Sequence, residues 1–413
     1  MFSKAVAHAV RCLALVGVPI LLAGGCGSAE PDASAVPTPE IGAATLLPAT
    51  PSVGSSGGDS GPSTAVEVVP SVPVPTVTPS APSMSCLSQR QRFAQLLLPL
   101  ATQPELMAAA LPLAASGDLG GLGLLGFPDE GLVPALAAIQ NATFVPVLVA
   151  SDEEGGAVQR LANLLGPLPS AAVTATTTTP EQTRLTWVEY GSRVKQLGID
   201  VVFGPVLDVG AAPGIGNRSF GSDPALVTEF GRAVGDGLAE AGVMPVFKHF
   251  PGHGRASQDS HLGLPLVPSI EELWASDLLP YVELVGDHRR DGAGVMVGHL
   301  SVPGLSGDLP TSLSPETING LLRNQIGFDG LVFTDAMNMG AIVENYGFLD
   351  AIVRAFNAGA DIAILGSLAD VEPVLDHLAA AAAADPGLEA LLELRAMRVL
   401  AAKGQAEICV GAR

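Results

Sequence analysis

At 413 residues the chain has room for one large domain or two ordinary ones. Its 41 acidic residues against 20 lysines and arginines leave a net charge of −21. No basic cluster is present to neutralise phosphates, which argues against nucleic acid and other polyanions as partners.

Residues 1–25 read as a lipoprotein signal peptide. Lys4 and Arg11 precede an apolar run over 12–23, too short to span a bilayer but the length of a secretory core. Leu22-Ala23-Gly24-Gly25-Cys26 resembles a lipobox, in which Cys26 would be acylated after cleavage. The expected location is therefore outside the cytoplasm, tethered to the cell membrane. The alternative is an ordinary secretory signal with an incidental cysteine. Residues 26–85 are dominated by Pro, Ser, Val and Thr without a sustained period, and such a segment cannot bury enough apolar surface to order itself. It reads as a flexible linker. The folded region is expected over 86–413, with Cys86 and Cys409 at its two ends. In an oxidising compartment this pair is a candidate disulfide, the alternative being two free thiols.

Within that region apolar runs at 119–125, 145–150, 199–203, 243–247, 294–297, 330–333 and 361–365 alternate with helical patterns. Continuous apolar runs separated by helices indicate a parallel sheet covered on both faces. Asp223-Pro224 supplies a cap and a first-turn proline for one helix, whose face is Leu226, Phe230, Ala233, Val234 and Leu238 and whose stop is Gly242. Ser314-Pro315 opens another, with Ile318, Leu321, Leu322 and Ile326 as its stripe and Gly327 as its stop. Seven strands are legible and an eighth is not. Polar residues follow nearly every run: Asp152, Asp208, Lys248 with His249, His299 and Asp335. An open sheet gathers its ligands at one switch point, whereas a barrel gathers every strand end round one mouth. A single (β/α)8 barrel of the TIM type is the better account.

The densest chemistry lies in Lys248-His249-Phe250-Pro251-Gly252-His253-Gly254, followed by Asp259-Ser260-His261. With Asp152-Glu153-Glu154-Gly155-Gly156-Ala157-Val158-Gln159-Arg160, Asn217-Arg218-Ser219-Phe220 and Phe333-Thr334-Asp335-Ala336-Met337-Asn338-Met339-Gly340, these motifs resemble the glycoside hydrolase family 3 β-N-acetylhexosaminidases. The resemblance runs over about residues 88–404 in the family's order, and several such matches rarely coincide by chance. It implies the barrel fold, no cofactor, and a retaining mechanism. Smaller members lack the second domain of many β-glucosidases, and none is expected here. By the family's pattern Asp335 is the nucleophile, His261 the acid/base with Asp259 as its orienter, and Asp152, Arg160, Arg218, Lys248 and His249 hold the terminal N-acetylglucosamine. The family usually reads Asp-Gln-Glu-Gly-Gly-Arg where this chain has Glu153 in place of glutamine and Ala157 in place of arginine. A gained carboxylate and a lost guanidinium would disturb the finer sugar contacts.

The chemistry agrees with those assignments. Retaining hydrolysis needs a nucleophile below the anomeric carbon and an acid above the leaving oxygen. Imidazole titrates near neutrality and can donate and then withdraw a proton. Gly252 and Gly254 are candidate hinges for the loop that carries it. His249, His253, Asp259 and His261 are also all metal-ligand types, but their spacing fits no helical pair and Lys248 would sit beside the cation, so no metal is expected. The expected activity is release of β-linked N-acetylglucosamine, with cell-wall muropeptides as substrates, by a monomer. The alternatives are a β-glucosidase, a phosphorylase in which phosphate replaces water, a metal-dependent hydrolase, and a non-catalytic sugar-binding lipoprotein.

Overall fold

The computed structural model describes residues 84–286 and 292–409. The signal peptide, Cys26 and nearly all of the linker lie outside the described residues. Eight strands form a closed barrel: β1 (Leu97–Thr102), β2 (Gly121–Leu125), β3 (Leu148–Ser151), β4 (Val201–Val206), β5 (Met244–Phe250), β6 (Gly294–Val297), β7 (Leu331–Ala336) and β8 (Ile362–Leu365). Each pairs in parallel with its neighbours in chain order, and β1 closes on β8 through Leu97 opposite Ala363 and Leu98 opposite Ile364. All seven expected strands are present. The eighth is β1, hidden in the sequence because Pro99 interrupts its run and a proline argues against a central strand.

Two strands run further than their apolar stretches suggest. β5 takes in Lys248 and His249, and β7 takes in Thr334, Asp335 and Ala336. The register between β5 and β6 shifts between Phe247 and Phe250. Successive side chains of a regular strand point to opposite faces, whereas an irregularity of this kind re-aims them. Lys248 and His249 consequently both line the cavity at the barrel's C-terminal mouth.

The helices follow their punctuation. Asp223 accepts from Ala225 N at 2.9 Å and caps Pro224–Glu240, which buries Val227, Phe230, Val234 and Leu238. Leu226, expected on that face, is only partly buried and Val227 takes its place. Ser314 Oγ accepts from Thr317 N at 3.1 Å at the start of Glu316–Gln325, and Ile318, Leu321 and Leu322 pack inward. No helix among the described residues is long and apolar enough to cross a membrane.

The far end of the barrel is closed by charge. Asp361, fully buried just before β8, accepts from Val332 N at 2.9 Å and from Arg323 Nη2 at 2.7 Å. Its other oxygen lies 3.3 Å from Arg395 Nη1 and 3.2 Å from Arg398 Nε. Lys403 donates to Gln95 Oε1 and Gly120 O at 2.6 Å each and to Pro146 O at 3.1 Å, tying the last helix to the starts of β2 and β3. Beyond it Cys86 and Cys409 are joined as a disulfide, with Cα atoms 5.4 Å apart. Removing one partner of a buried ion cluster strands the others, so Asp361→Ala should cost about 3–5 kcal/mol in urea unfolding. A loss below about 1 kcal/mol, the surface-pair range, would show that the three arginines do not need their carboxylate.

Candidate active site

The barrel mouth holds a cavity of about 260 Å³. Asp152, Arg160, Arg218, Lys248, His249, Asp259, His261 and Asp335 all line it. The eight residues singled out in the sequence come from β5, β7 and the segments after β3, β4 and β5, and the fold brings them to one place.

The floor is an ion cluster. Lys248 Nζ lies 2.8 Å from Asp152 Oδ1 and 2.6 Å from Glu154 Oε1. Arg218 grips the same Glu154 with two bonds, Nε to Oε2 at 2.7 Å and Nη2 to Oε1 at 2.8 Å. Paired forks of this kind fix geometry as well as charge. Arg160 Nη2 reaches Asp152 Oδ2 at 3.2 Å, and its Nε is buried without a hydrogen-bond partner. Burial opposes the ionisation of Asp152, but Lys248 and Arg160 outweigh it and bring the carboxyl down to about 2. Burial likewise works against the Lys248 ammonium, and Asp152 and Glu154 reverse the effect and raise it.

A second carboxylate orients the histidines. Asp208 is fully buried; its Oδ2 lies 2.7 Å from His249 Nδ1, and its Oδ1 accepts from His253 N at 2.7 Å. Burial pushes the Asp208 carboxyl up, and His249 and His253 pull it down to about 2. Asp208 therefore supports His249 from behind. His299, also buried, holds Ser312 Oγ at 2.7 Å and Ala336 O at 3.1 Å, and so braces the peptide next to Asp335. His253 Nε2 lies 3.1 Å from Ser260 Oγ, linking the strand end to the loop that carries Asp259 and His261.

Asp335 Oδ1 accepts from Ala336 N at 2.8 Å. Burial raises its carboxyl, but His249, His299 and the Ala336 N–H together hold it below the ordinary aspartate value. Asp259 and His261 are a bonded pair, Oδ1 to Nδ1 at 2.8 Å, on a loop that leaves 70% of the His261 side chain exposed. The loop tip leans on Gly340, where an added Cβ would meet His261 O at 2.8 Å. Gly252 and Gly254 also pack closely: a Cβ at Gly252, whose φ is +138°, would lie 2.6 Å from Asp277 Cβ, and one at Gly254 would collide with Val209 O. Both glycines allow close packing.

The departures at 153 and 157 fall outside the cavity. Ala157 is exposed and Glu153 is fully buried on the far side of its strand, outside the cavity. Glu154 is the residue that the sequence reading passed over. The signal was present: in an extended stretch Asp152 and Glu154 share a face and Glu153 takes the other.

The sequence pattern of the glycosyl hydrolase family 3 N terminal domain matches residues 134–402. The chain belongs to this glycosidase family. A β-hexosaminidase named LpqI from Mycobacterium tuberculosis is 42% identical over 331 residues, covering 77% of this chain and 83% of its own. A family 3 glycosyl hydrolase structure from Mycobacterium smegmatis superposes with a TM-score of 0.70 at 42% identity, over 76% of this chain and 97% of that one. A family 3 β-N-acetylglucosaminidase from a Paenibacillus species does so with a TM-score of 0.71 at 32% identity, over 79% of this chain and 64% of that one. Among the described residues of this family 3 chain, no group of three or more His, Cys, Asp or Glu side chains is placed to hold a metal ion.

The carboxylates of this family 3 site stay ionised well into acid. The acid limb of kcat/KM should therefore lie below pH 3.8, the ordinary value for aspartate. Replacing His249 with glutamine removes the first of the groups that hold Asp335 down, and should move that limb to higher pH. A pH–rate profile checks both, and an unmoved limb in the variant would detach Asp335 from the rate.

Proposed function

We propose that this chain is a retaining β-N-acetylglucosaminidase that releases terminal, non-reducing β-linked N-acetylglucosamine, with peptidoglycan fragments as the natural source. The observation that carries this reading is the single mouth cavity, in which an ionised Asp335 on a strand end meets a bonded Asp259–His261 pair on a loop, over a floor of fixed charge. Such a pairing supplies a nucleophile and a proton carrier on separate supports.

In the proposed reaction Asp152, Arg160, Arg218, Lys248 and His249 hold the sugar. Asp335 attacks the anomeric carbon while His261, oriented by Asp259, protonates the departing oxygen. The glycosidic bond breaks as the bond to Asp335 forms. His261 then removes a proton from water, which attacks the anomeric carbon and frees Asp335. The floor provides donors that ring hydroxyls can use, because lysine and arginine remain donors at neutral pH. The protein works outside the cytoplasm, held to the membrane by acylated Cys26, and loss of lipid label in Cys26→Ala checks that attachment.

Turnover of nitrophenyl β-N-acetylglucosaminide and β-glucoside, each with and without phosphate, tests the sugar and the acceptor. Faster cleavage of the glucoside, or rates that rise with phosphate and yield a sugar phosphate, would overturn the hydrolase reading. Asp335→Asn should abolish turnover in a folded protein, because the amide is a poor nucleophile. His261→Ala should slow cleavage by ~10²–10⁴-fold for leaving groups that need protonation and least for activated aryl groups. Asp259→Ala should follow the same order more weakly. A uniform loss across leaving groups would remove His261 from the acid/base role.

A further inference from the structure

Glu153 stands between two residues of the site floor, yet its side chain leaves the cavity. It is fully buried and accepts three hydrogen bonds: from Ser151 Oγ at 2.6 Å, from Leu161 N at 3.1 Å and from the Tyr190 hydroxyl at 2.6 Å. The Tyr190 hydroxyl in turn accepts from Gln159 Nε2 at 2.9 Å. That amide also donates to Gly166 O at 2.9 Å and accepts from Leu168 N at 2.8 Å. These partners come from β3, from the arm over residues 158–168, and from the helix Pro180–Gln196. Arg160 sits on that arm, directly before Leu161. Its N–H donates to Asp152 O at 3.1 Å, and its guanidinium reaches the Asp152 carboxylate.

We infer that Glu153 is a positioning residue for sugar binding: by fastening Leu161 directly and Gln159 through Tyr190, it holds Arg160 against Asp152 in the pose that grips the terminal sugar. The inference rests on the sugar-binding role proposed for Asp152 and Arg160. Geometry separates this brace from simple filling of space. Leu161 N–H can only donate, and Tyr190 already accepts from Gln159, so the group at 153 must offer acceptors to the arm. Burial, helped by the like charge of Asp152, pushes the Glu153 carboxyl up to about 7 against the pull of its three donors. A glutamine keeps the direct half of the brace, because its oxygen accepts from Leu161 and Ser151, but it meets Tyr190 with an N–H in place of an acceptor. A leucine of similar bulk removes every bond.

The test is steady-state kinetics on nitrophenyl β-N-acetylglucosaminide with Glu153→Leu, Glu153→Gln, Tyr190→Phe and Arg160→Ala, each checked for folding by thermal unfolding. Arg160→Ala and Glu153→Leu should raise KM in parallel by ~10-fold or more, the loss expected for a charged hydrogen bond, with kcat within about threefold. Glu153→Gln and Tyr190→Phe, which both keep the direct bond to Leu161, should each give a KM between those of wild type and Glu153→Leu. A raised KM in Arg160→Ala beside a wild-type KM in folded Glu153→Leu would overturn the inference alone. An unchanged KM in Arg160→Ala would overturn the sugar clamp, and the inference with it. If Glu153→Leu does not fold, Tyr190→Phe decides, and a wild-type KM there sinks the brace.

Discussion

The mouth of this barrel depends on Lys248 being held between Asp152 and Glu154. A lysine at 2% exposure is tolerable only with its charge matched, because the cost of taking an ammonium out of water exceeds any single hydrogen bond. Two carboxylates match it, and they in turn need Arg160 and Arg218. The cluster therefore joins the end of β5 to the segments after β3 and β4. It also sets the chemistry above it. Lys248, Arg160 and Arg218 bring donor capacity to the cavity, and Lys248 adds to the pull of His249, His299 and the Ala336 N–H on Asp335.

The opposite end of the barrel uses the same device for a different purpose. Asp361 gathers Arg323, Arg395 and Arg398 where β8 begins, and Lys403 ties down Gly120 O and Pro146 O where β2 and β3 begin. Residues at that end of a TIM-type barrel serve the scaffold, while residues at the C-terminal ends of the strands serve ligands. Both ends hold buried charge, and only the strand direction tells which cluster faces a substrate.

That direction was legible in the sequence, because the apolar runs could be ordered and nearly every one was followed by polar residues. Strand positions were legible for seven of the eight for the same reason; β1 was lost to Pro99, whose effect on a strand depends on neighbours the sequence does not name. The roles of the three consecutive acids were less accessible. Asp152, Glu153 and Glu154 look alike in composition, and only the pleat separates the two that meet Lys248 from the one that meets Tyr190. Gly252 and Gly254 show the converse. Their freedom suggested hinges, and the fold adds what the sequence could not show, that their lack of a side chain brings the loop against Asp277 and Val209. Nothing local in the sequence distinguishes a glycine that moves from one that packs.

The division between rigid and exposed parts follows from what each reacting group must do. The proposed nucleophile has to be ionised and aimed before the sugar arrives, so it belongs on a strand end among buried cations, braced by His299 through the adjoining carbonyl. The proposed acid has to exchange protons with a leaving oxygen and then with water, so exposure suits it, and only its orientation needs support. Asp259 provides that support within the loop itself, and His253 through Ser260 ties the loop to Asp208, the same carboxylate that orients His249. One buried aspartate thus fixes a cavity-lining histidine with one oxygen and, through a backbone N–H, the root of the Asp259–His261 loop with the other. The two halves of the site share a reference point, which allows the loop to be exposed without leaving its alignment to chance.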